Sequence, residues 1–150
     1  MQLTELMNTS IVSVSPDATI AEAARRMAEA ETGAAVVMEA EQLVGVISER
    51  DILRHVGAGR PTDDLVRDRM TRHVQTAATS TPFPEAMAMM VDGRFRHLPI
   101  VDGGRVVGLV SMRDLMAWTA LRLRQGPLDG SDVDPAELLA TIHRMRTGAA

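Results

Sequence analysis

An internal repeat limits the fold of this 150-residue chain more than any other feature of its sequence. Residues 45–51, with the sequence GVISERD, return as residues 108–114, with the sequence GLVSMRD. The same shift of 63 residues, without a gap, pairs Met7 with Met70. Because such a register over about 45 residues is hard to obtain by chance, we expect two copies of one structural unit.

Each copy carries the pattern of the same five elements. A short extended segment, 11–14 or 74–77, precedes a helix with an apolar stripe, and two apolar runs around a tight turn then predict a β-hairpin. A closing helix is expected to start at Ser48 or Ser111 and to turn an apolar face toward the core. That face consists of Ile52, Leu53 and Val56 in the first copy and of Leu115, Met116 and Thr119 in the second. The pattern predicts an α/β (α+β) fold of two β-α-β-β-α repeats.

The chain divides into three parts on this basis. Residues 1–60 form the first repeat and residues 61–125 the second, while residues 126–150 are a C-terminal extension with a short helix. Each sheet alone has too few residues to cover its own apolar face. We therefore expect the two repeats to pack on each other.

The composition argues against several classes of function. The chain has no Cys, and its four His form no pair with metal-ligand spacing, so neither a thiol nucleophile nor a metal site is expected. With no recognisable nucleophile–base pair or paired carboxylates, we expect no enzyme and no catalytic cofactor. A net charge of −4, one Trp and two Phe argue against nucleic acid as a partner. No run of about 18 apolar residues predicts a membrane span, so we expect a soluble, cytoplasmic protein.

One motif occurs in both copies where a strand gives way to a helix. It consists of Ser48 and Asp51 in the first copy and of Ser111 and Asp114 in the second. A Ser at the N-cap with an acidic residue three positions later is a capping box, which explains both residues without a ligand. A helix N-terminus also attracts phosphate, the Arg at positions 50 and 113 adds donors, and Asp can accept from ribose hydroxyls. The residues fit both readings.

The repeated motif resembles that of the CBS (cystathionine-β-synthase) domain, two of which form a Bateman module. The resemblance rests on Gly-h-h-Ser-x-Arg-Asp after a hairpin, where h is an apolar residue, and on residues 96–102, RHLPIVD. It covers roughly residues 5–120 and points to the stand-alone bacterial or archaeal type. It implies repeats related by a pseudo-two-fold axis and two clefts that take AMP, ADP, ATP or S-adenosylmethionine.

The resemblance also implies which residues bind the ligand. Each cleft combines the closing helix of one copy with the opening segment of the other, with Asp on the ribose and Ser and Arg toward phosphate. The implied residues are Ser48, Arg50, Asp51, Val74, Gln75 and Thr76 in one cleft and Ser10, Ile11, Val12, Ser13, Ser111, Arg113 and Asp114 in the other. Arg96 and His97 are further phosphate contacts. Since the aligned residues 33 and 34 offer no side-chain donor, the Asp114 cleft is expected to be the better site for a charged nucleotide.

A regulatory role follows from the resemblance, not a chemical one. The module is expected to sense an adenosyl ligand, to form a homodimer through helices 48–56 and 111–124, and to act on a regulated protein that the sequence does not identify. The alternative is a ligand-free interaction module, acting through dimerisation, in which Ser48–Asp51 and Ser111–Asp114 are helix caps only.

Overall fold

The computed structural model describes residues 3–125, and the side chains of residues 3–120. The first repeat contains β1 (Ser13–Val14), α1 (Ile20–Glu29), β2 (Ala34–Glu39), β3 (Gln42–Ser48) and α2 (Glu49–Gly57). The second contains β4 (Ala77–Ala78), α3 (Phe83–Gly93), β5 (His97–Asp102), β6 (Arg105–Ser111) and α4 (Met112–Gln125). Short 3₁₀ helices, Leu3–Glu5 and Val66–Asp68, precede each set. The predicted C-terminal helix lies outside the described residues.

Two three-stranded sheets with the same topology confirm the predicted repeat. In each, a short opening strand pairs parallel with the first hairpin strand, which pairs antiparallel with the second. The registers match, since Ala34 faces Ser48 and His97 faces Ser111. Each β-α-β-β-α unit is thus built twice with the same strand order. No helix within residues 3–125 has the length and apolar character needed to cross a membrane.

The two hairpin turns have the same shape but different residues. Gly103 and Gly104 have φ values of 54° and 80°, a region that glycine enters freely. Ala40 and Glu41 occupy the same region, at 47° and 63°. Because a Cβ makes left-handed backbone unfavourable, the first hairpin holds strain that the second avoids.

Each repeat completes the hydrophobic core of the other. Val66, at the start of the second repeat, is fully buried in the core of the first, whereas Leu3, at the start of the first, is fully buried in the core of the second. Backbone hydrogen bonds of 3.0 and 2.9 Å join Val46 to Thr71, and the matching pair of the same lengths joins Leu109 to Asn8. The opening segments therefore cross between the repeats.

A third apolar cluster fills the space between the two sheets. It contains Ala34, Val36 and Val46 from the first sheet and Leu109 from the second. These residues face away from the helices of their own repeat and are covered by the other sheet. This confirms that the repeats pack on each other, as the size of each sheet predicted.

The closing helices turn less apolar surface inward than the sequence predicted. Leu115 is fully buried, but Leu53, Val56 and Met116 are 72%, 50% and 60% exposed, so their predicted core positions are wrong. The inward face of α2 runs through Ile52 and His55, three residues apart, and His55 is 2% exposed. The polar side chain of His55 is therefore buried, whereas Leu53 and Val56, which the pattern placed in the core, are exposed.

Candidate functional site

Both closing helices begin with the predicted capping box. In α2 the Asp51 carboxylate oxygen Oδ2 accepts from the Ser48 backbone N–H at 2.8 Å and from the Ser48 hydroxyl at 2.7 Å. The Ser48 Oγ in turn accepts from the Asp51 N–H at 3.4 Å. Ser111 and Asp114 repeat this geometry at 2.8, 2.6 and 3.3 Å. The structural reading of the motif is therefore confirmed in both copies.

Capping leaves part of the Asp51 carboxylate free. All of the cap bonds go to Oδ2, and Oδ1 makes no hydrogen bond within residues 3–120. A carboxylate oxygen has two lone pairs, so Oδ1 alone can accept from two hydroxyl groups. The cap and the ribose contact therefore do not compete for the same atom.

A cavity of about 300 Å³ opens beside Asp51. The start of α2 forms one wall, the opening segment of the second repeat forms another, and the end of α3 with the start of β5 forms a third. Its lining residues are Val46, Ser48, Arg50, Asp51, Arg54, Thr71, His73, Val74, Gln75, Gly93, Arg94, Phe95, Arg96 and His97. Asp114 lies outside this cavity.

The crossing of the opening segments creates this arrangement. Because Thr71 pairs with Val46 in β3, the residues that follow Thr71 run alongside the strand that leads to Ser48. Val74 and Gln75 then line the cavity, as the resemblance implied, whereas Thr76 does not. Two of the three implied residues of this segment are thus brought to Asp51.

Close packing across the crossing explains the glycines of the motif. A Cβ on Gly45 would lie 2.6 Å from the sulfur of Met70, and one on Gly108 would lie 2.3 Å from the sulfur of Met7. Real Cβ atoms do not approach other atoms so closely. The glycine three residues before each Ser is therefore required for the Met side chain of the opposite segment to seat.

Arg96 and His97 line the Asp51 cavity, while His97 also pairs with Ser111 of the other cleft. Gly33, the residue aligned with Arg96, makes room for His97 in the Asp51 cavity. A Cβ on Gly33 would lie 3.0 Å from His97 Nε2, so the absence of a side chain lets His97 reach across to the first repeat. Gly33 has no side-chain donor of its own, but its small size lets His97, a donor from the other repeat, enter this cavity.

Charged neighbours surround His97. Burial lowers the pKa of His97 below its ordinary value of 6.5, and the Arg96 guanidinium lowers it further, while Glu49 and Asp114 act in the opposite direction. Arg96 itself approaches Glu49 at 3.9 Å, with side chains 42% and 59% exposed, so this ion pair is weak. The folded protein therefore favours a neutral His97 beside the Arg96 cation.

The cavity is strongly cationic. Four arginines line it, at positions 50, 54, 94 and 96, against the single carboxylate of Asp51. Sequence reasoning missed Arg54 and Arg94. Arg54 follows Asp51 by three residues on a helix, a spacing that places both on one face and that could have identified it. Arg94 offers no such signal, because its position depends on how α3 ends.

The implied residues of the other cleft are distributed differently. Arg113 is exposed at the start of α4, and Ser10 is exposed with its N–H bonded to the Asn8 side chain at 2.9 Å. Ile11 packs between the sheets, Val12 packs on the first core, and Ser13 pairs with β2. Asn8 binds Leu109, which brings this segment to β6 and thus toward Ser111 and Asp114.

Comparisons with known proteins identify related chains in archaea and bacteria. An uncharacterized 17.7 kDa protein of Acidianus ambivalens is 37% identical over 116 residues, which cover 76% of this chain and 70% of that protein. The CBS domain-containing protein YhcV of Bacillus subtilis is 35% identical over 112 residues, covering 74% and 80%. The chain spans only 20% of a CBS domain-containing protein of Arabidopsis thaliana.

Solved structures share the fold. A CBS domain protein of Pyrobaculum aerophilum, crystallised in complex with AMP, is 30% identical with a TM-score of 0.74, covering 84% of this chain and all of that one. The family model of the CBS domain matches twice, at residues 3–58 and 66–120. The repeated motif, the crossed opening segments and these matches show that the chain belongs to the CBS domain family and contains a pair of CBS domains.

Proposed function

We propose that this CBS pair is a regulatory module that binds an adenine nucleotide in the cavity beside Asp51. One observation carries the proposal: a single cavity brings together the carboxylate of Asp51, the helix start at Ser48 and the opening segment of the opposite repeat. Arginines from both repeats complete it. The AMP complex of the Pyrobaculum aerophilum relative supports the choice of ligand class.

The free carboxylate oxygen determines where the sugar binds. Asp51 Oδ1 accepts from the two ribose hydroxyls, while Oδ2 continues to cap α2. An acidic residue that accepts from ribose hydroxyls is a common device in dinucleotide sites. Binding therefore leaves the helix cap intact.

The phosphate binds among the arginines. Arg50 and Arg96 provide guanidinium donors from opposite repeats at the start of α2. S-adenosylmethionine is a poorer match because its sulfonium and ammonium groups would be repelled by the same cations. The charge of the cavity therefore favours AMP, ADP or ATP over that ligand.

The base lies against the opening segment of the second repeat. Val46 and Val74 supply apolar surface, and backbone groups of residues 73–75 supply hydrogen-bonding partners for the edge of a purine. A nucleotide held in this way contacts both repeats at once. Regulation follows if a partner protein distinguishes the ligand-bound arrangement from the empty one.

Isothermal titration with AMP, ATP and S-adenosylmethionine tests the proposal, and the two capping boxes supply a matched control. Asp51→Asn and Asp114→Asn remove the same carboxylate from the same local geometry, so both should lower the free energy of unfolding by about 1 kcal/mol or less. Only Asp51→Asn should abolish or strongly weaken nucleotide binding. Loss of binding through Asp114→Asn alone would place the ligand in the other cleft, and no heat from any of the three ligands would contradict the proposal.

The second candidate is a ligand-free interaction module, and the complete capping boxes favour it because they explain the motif without a nucleotide. In either case we propose a homodimer. Leu53 on α2 and Met116 on α4 occupy equivalent positions of the repeat and are both largely exposed, so each closing helix presents an apolar side chain to solvent. Burial of these side chains against a second copy would remove them from water.

A further inference from the structure

A second cavity, of about 210 Å³, adjoins the proposed nucleotide site. It lies along α2 toward the C-terminal end of that helix and is bounded by the segment that joins the repeats. Its lining residues are Asp51, Arg54, His55, Ala58, Arg60 and Arg69. Asp51 and Arg54 line both cavities, so the two spaces meet at these side chains.

The arginines of the second cavity lack acidic partners. Arg25 and Arg67 form ion pairs with Glu29 and Asp17, but within residues 3–120 none of the three arginines in this cavity forms one. The Nε atom of Arg69 is buried without a hydrogen-bond partner. Three cations converge here against the single carboxylate of Asp51, which already caps a helix. Arg54 and Arg60 are exposed and Arg69 is half-buried, so an anion in the cavity would gain charge-assisted hydrogen bonds from all three.

A buried histidine lines the same cavity. The side chain of His55 is fully buried, and its Nε2 lies 2.8 Å from the Pro61 carbonyl and 3.5 Å from Asp64. A carbonyl only accepts, so Nε2 carries a proton, and Nδ1 is left buried without a partner. His55 thus places an unsatisfied polar atom in the wall of this cavity.

The repeat shows that the fold does not require this polar cavity. At the shift of 63 residues, Arg54 corresponds to Ala117, His55 to Trp118 and Arg69 to Leu6. Trp118 lies with its ring centroid 4.2 Å from that of Phe83, and both Trp118 and Leu6 pack on the second core. Apolar side chains of the second repeat therefore occupy the positions that carry arginine and histidine in the first.

We propose that the Arg54–Arg60–Arg69 cavity binds the phosphoryl groups of an oligophosphate. Guanidinium groups form paired hydrogen bonds with phosphoryl oxygens, and three of them match a multiply charged chain better than a single phosphate. The chain can be the terminal phosphates of a nucleotide in the adjoining cavity, in which case the inference rests on the proposed function. It can also be a free inorganic oligophosphate beside that nucleotide.

Titration with inorganic tripolyphosphate tests the site without any nucleoside. The variant Arg60→Gln with Arg69→Gln should weaken binding about tenfold or more, because each lost guanidinium removes a charge-assisted contact. Arg25→Gln with Arg105→Gln removes the same net charge at exposed positions outside the cavity and should leave the affinity within about twofold of wild type. Thermal unfolding of each variant shows that it is folded. Equal affinities in the three proteins, or no binding to wild type, would overturn the proposal.

Titrations with AMP and ATP distinguish the two sources of the phosphates. If they belong to a nucleotide, ATP binds more tightly than AMP, competes with tripolyphosphate, and loses its advantage in the Arg60→Gln, Arg69→Gln variant while AMP does not. If the oligophosphate is separate, AMP and tripolyphosphate bind together. Tripolyphosphate binding that depends on Arg60 and Arg69, with no binding of any adenosyl ligand, would support this site and reject the proposed nucleotide function.

Discussion

The imidazole of His97 occupies the space that a side chain on Gly33 would need, since a Cβ there would lie 3.0 Å from His97 Nε2. His97 belongs to the second repeat and Gly33 to the first. This contact places a donor of one repeat in the cavity of the other. The effect of this contact on ligand binding can be measured by adding one methyl group at residue 33.

Gly33→Ala should displace His97 by a few tenths of an ångström and weaken AMP binding about fivefold, the equivalent of losing about one hydrogen bond. Gly57→Ala is the matched control. A Cβ at Gly57 would meet nothing within 4 Å, and alanine in a helix should raise stability by up to about 1 kcal/mol without altering AMP affinity. An unchanged AMP affinity in Gly33→Ala would show that the position of His97 does not matter for binding.

His97 should make the fold less stable in mild acid. Its pKa is lowered in the folded protein, chiefly by burial, so between that pKa and the ordinary value of 6.5 the unfolded chain binds more protons. The contribution of His97 is therefore complete above 6.5 and declines as the pH falls below it. Urea midpoints at about pH 7.5 and about pH 5.5 should differ less in His97→Gln than in wild type. His73→Gln, at an exposed histidine, should behave like wild type.

A glycine in the turn of the first hairpin should stabilise the folded protein. Glu41 has a φ of 63°, and Glu41→Gly should raise the free energy of unfolding by up to about 1 kcal/mol, because the penalty of a left-handed Cβ outweighs the extra entropy of glycine in the unfolded chain. Gly104→Ala, at the matching turn with a φ of 80°, should lower it by about 1 kcal/mol. Denaturant unfolding of both variants checks the opposite signs, and a loss of stability in Glu41→Gly would show that the turn is not strained.

The exposed apolar side chains of the closing helices should hold the dimer together. Leu53→Glu with Met116→Glu places two charges on side chains that are 72% and 60% exposed, so the single chain should remain folded while association is lost. Light scattering after size exclusion should show the mass of two chains for wild type and of one for the variant. Ala28→Glu, an exposed site on α1, should stay dimeric. A wild-type mass of one chain would reject the homodimer.

The internal repeat made the helices and strands predictable, but not the location of every side chain in the folded protein. The β-α-β-β-α element order, the starts of the closing helices and both capping boxes follow from local patterns that occur twice, and each is confirmed. His97 could not be assigned in this way, since its place depends on a glycine in the other repeat and on how the sheets pack. Contacts across a pseudo-two-fold axis are set by tertiary packing, and a one-dimensional alignment of the copies cannot show them.

His55 illustrates a different limit. A polar residue between apolar neighbours on a helix is ordinarily read as solvent-facing, yet His55 is 2% exposed while Leu53 and Val56 face outward. The burial is possible because the Pro61 carbonyl accepts from the imidazole at 2.8 Å. That partner lies in the joining segment, for which the sequence predicts no regular structure.

The exchange of Val66 and Leu3 between the cores predicts that the two repeats unfold as one cooperative unit. A fragment ending at residue 60 would lack Val66 and the strand partner that Thr71 gives to Val46. A fragment starting at residue 61 would lose Leu3 and the pairing of Asn8 with Leu109 in the same way. We therefore expect neither half to fold alone, although each has a complete set of strands and helices. Both repeats should therefore unfold in one transition, and deletion of either repeat should destabilise the other.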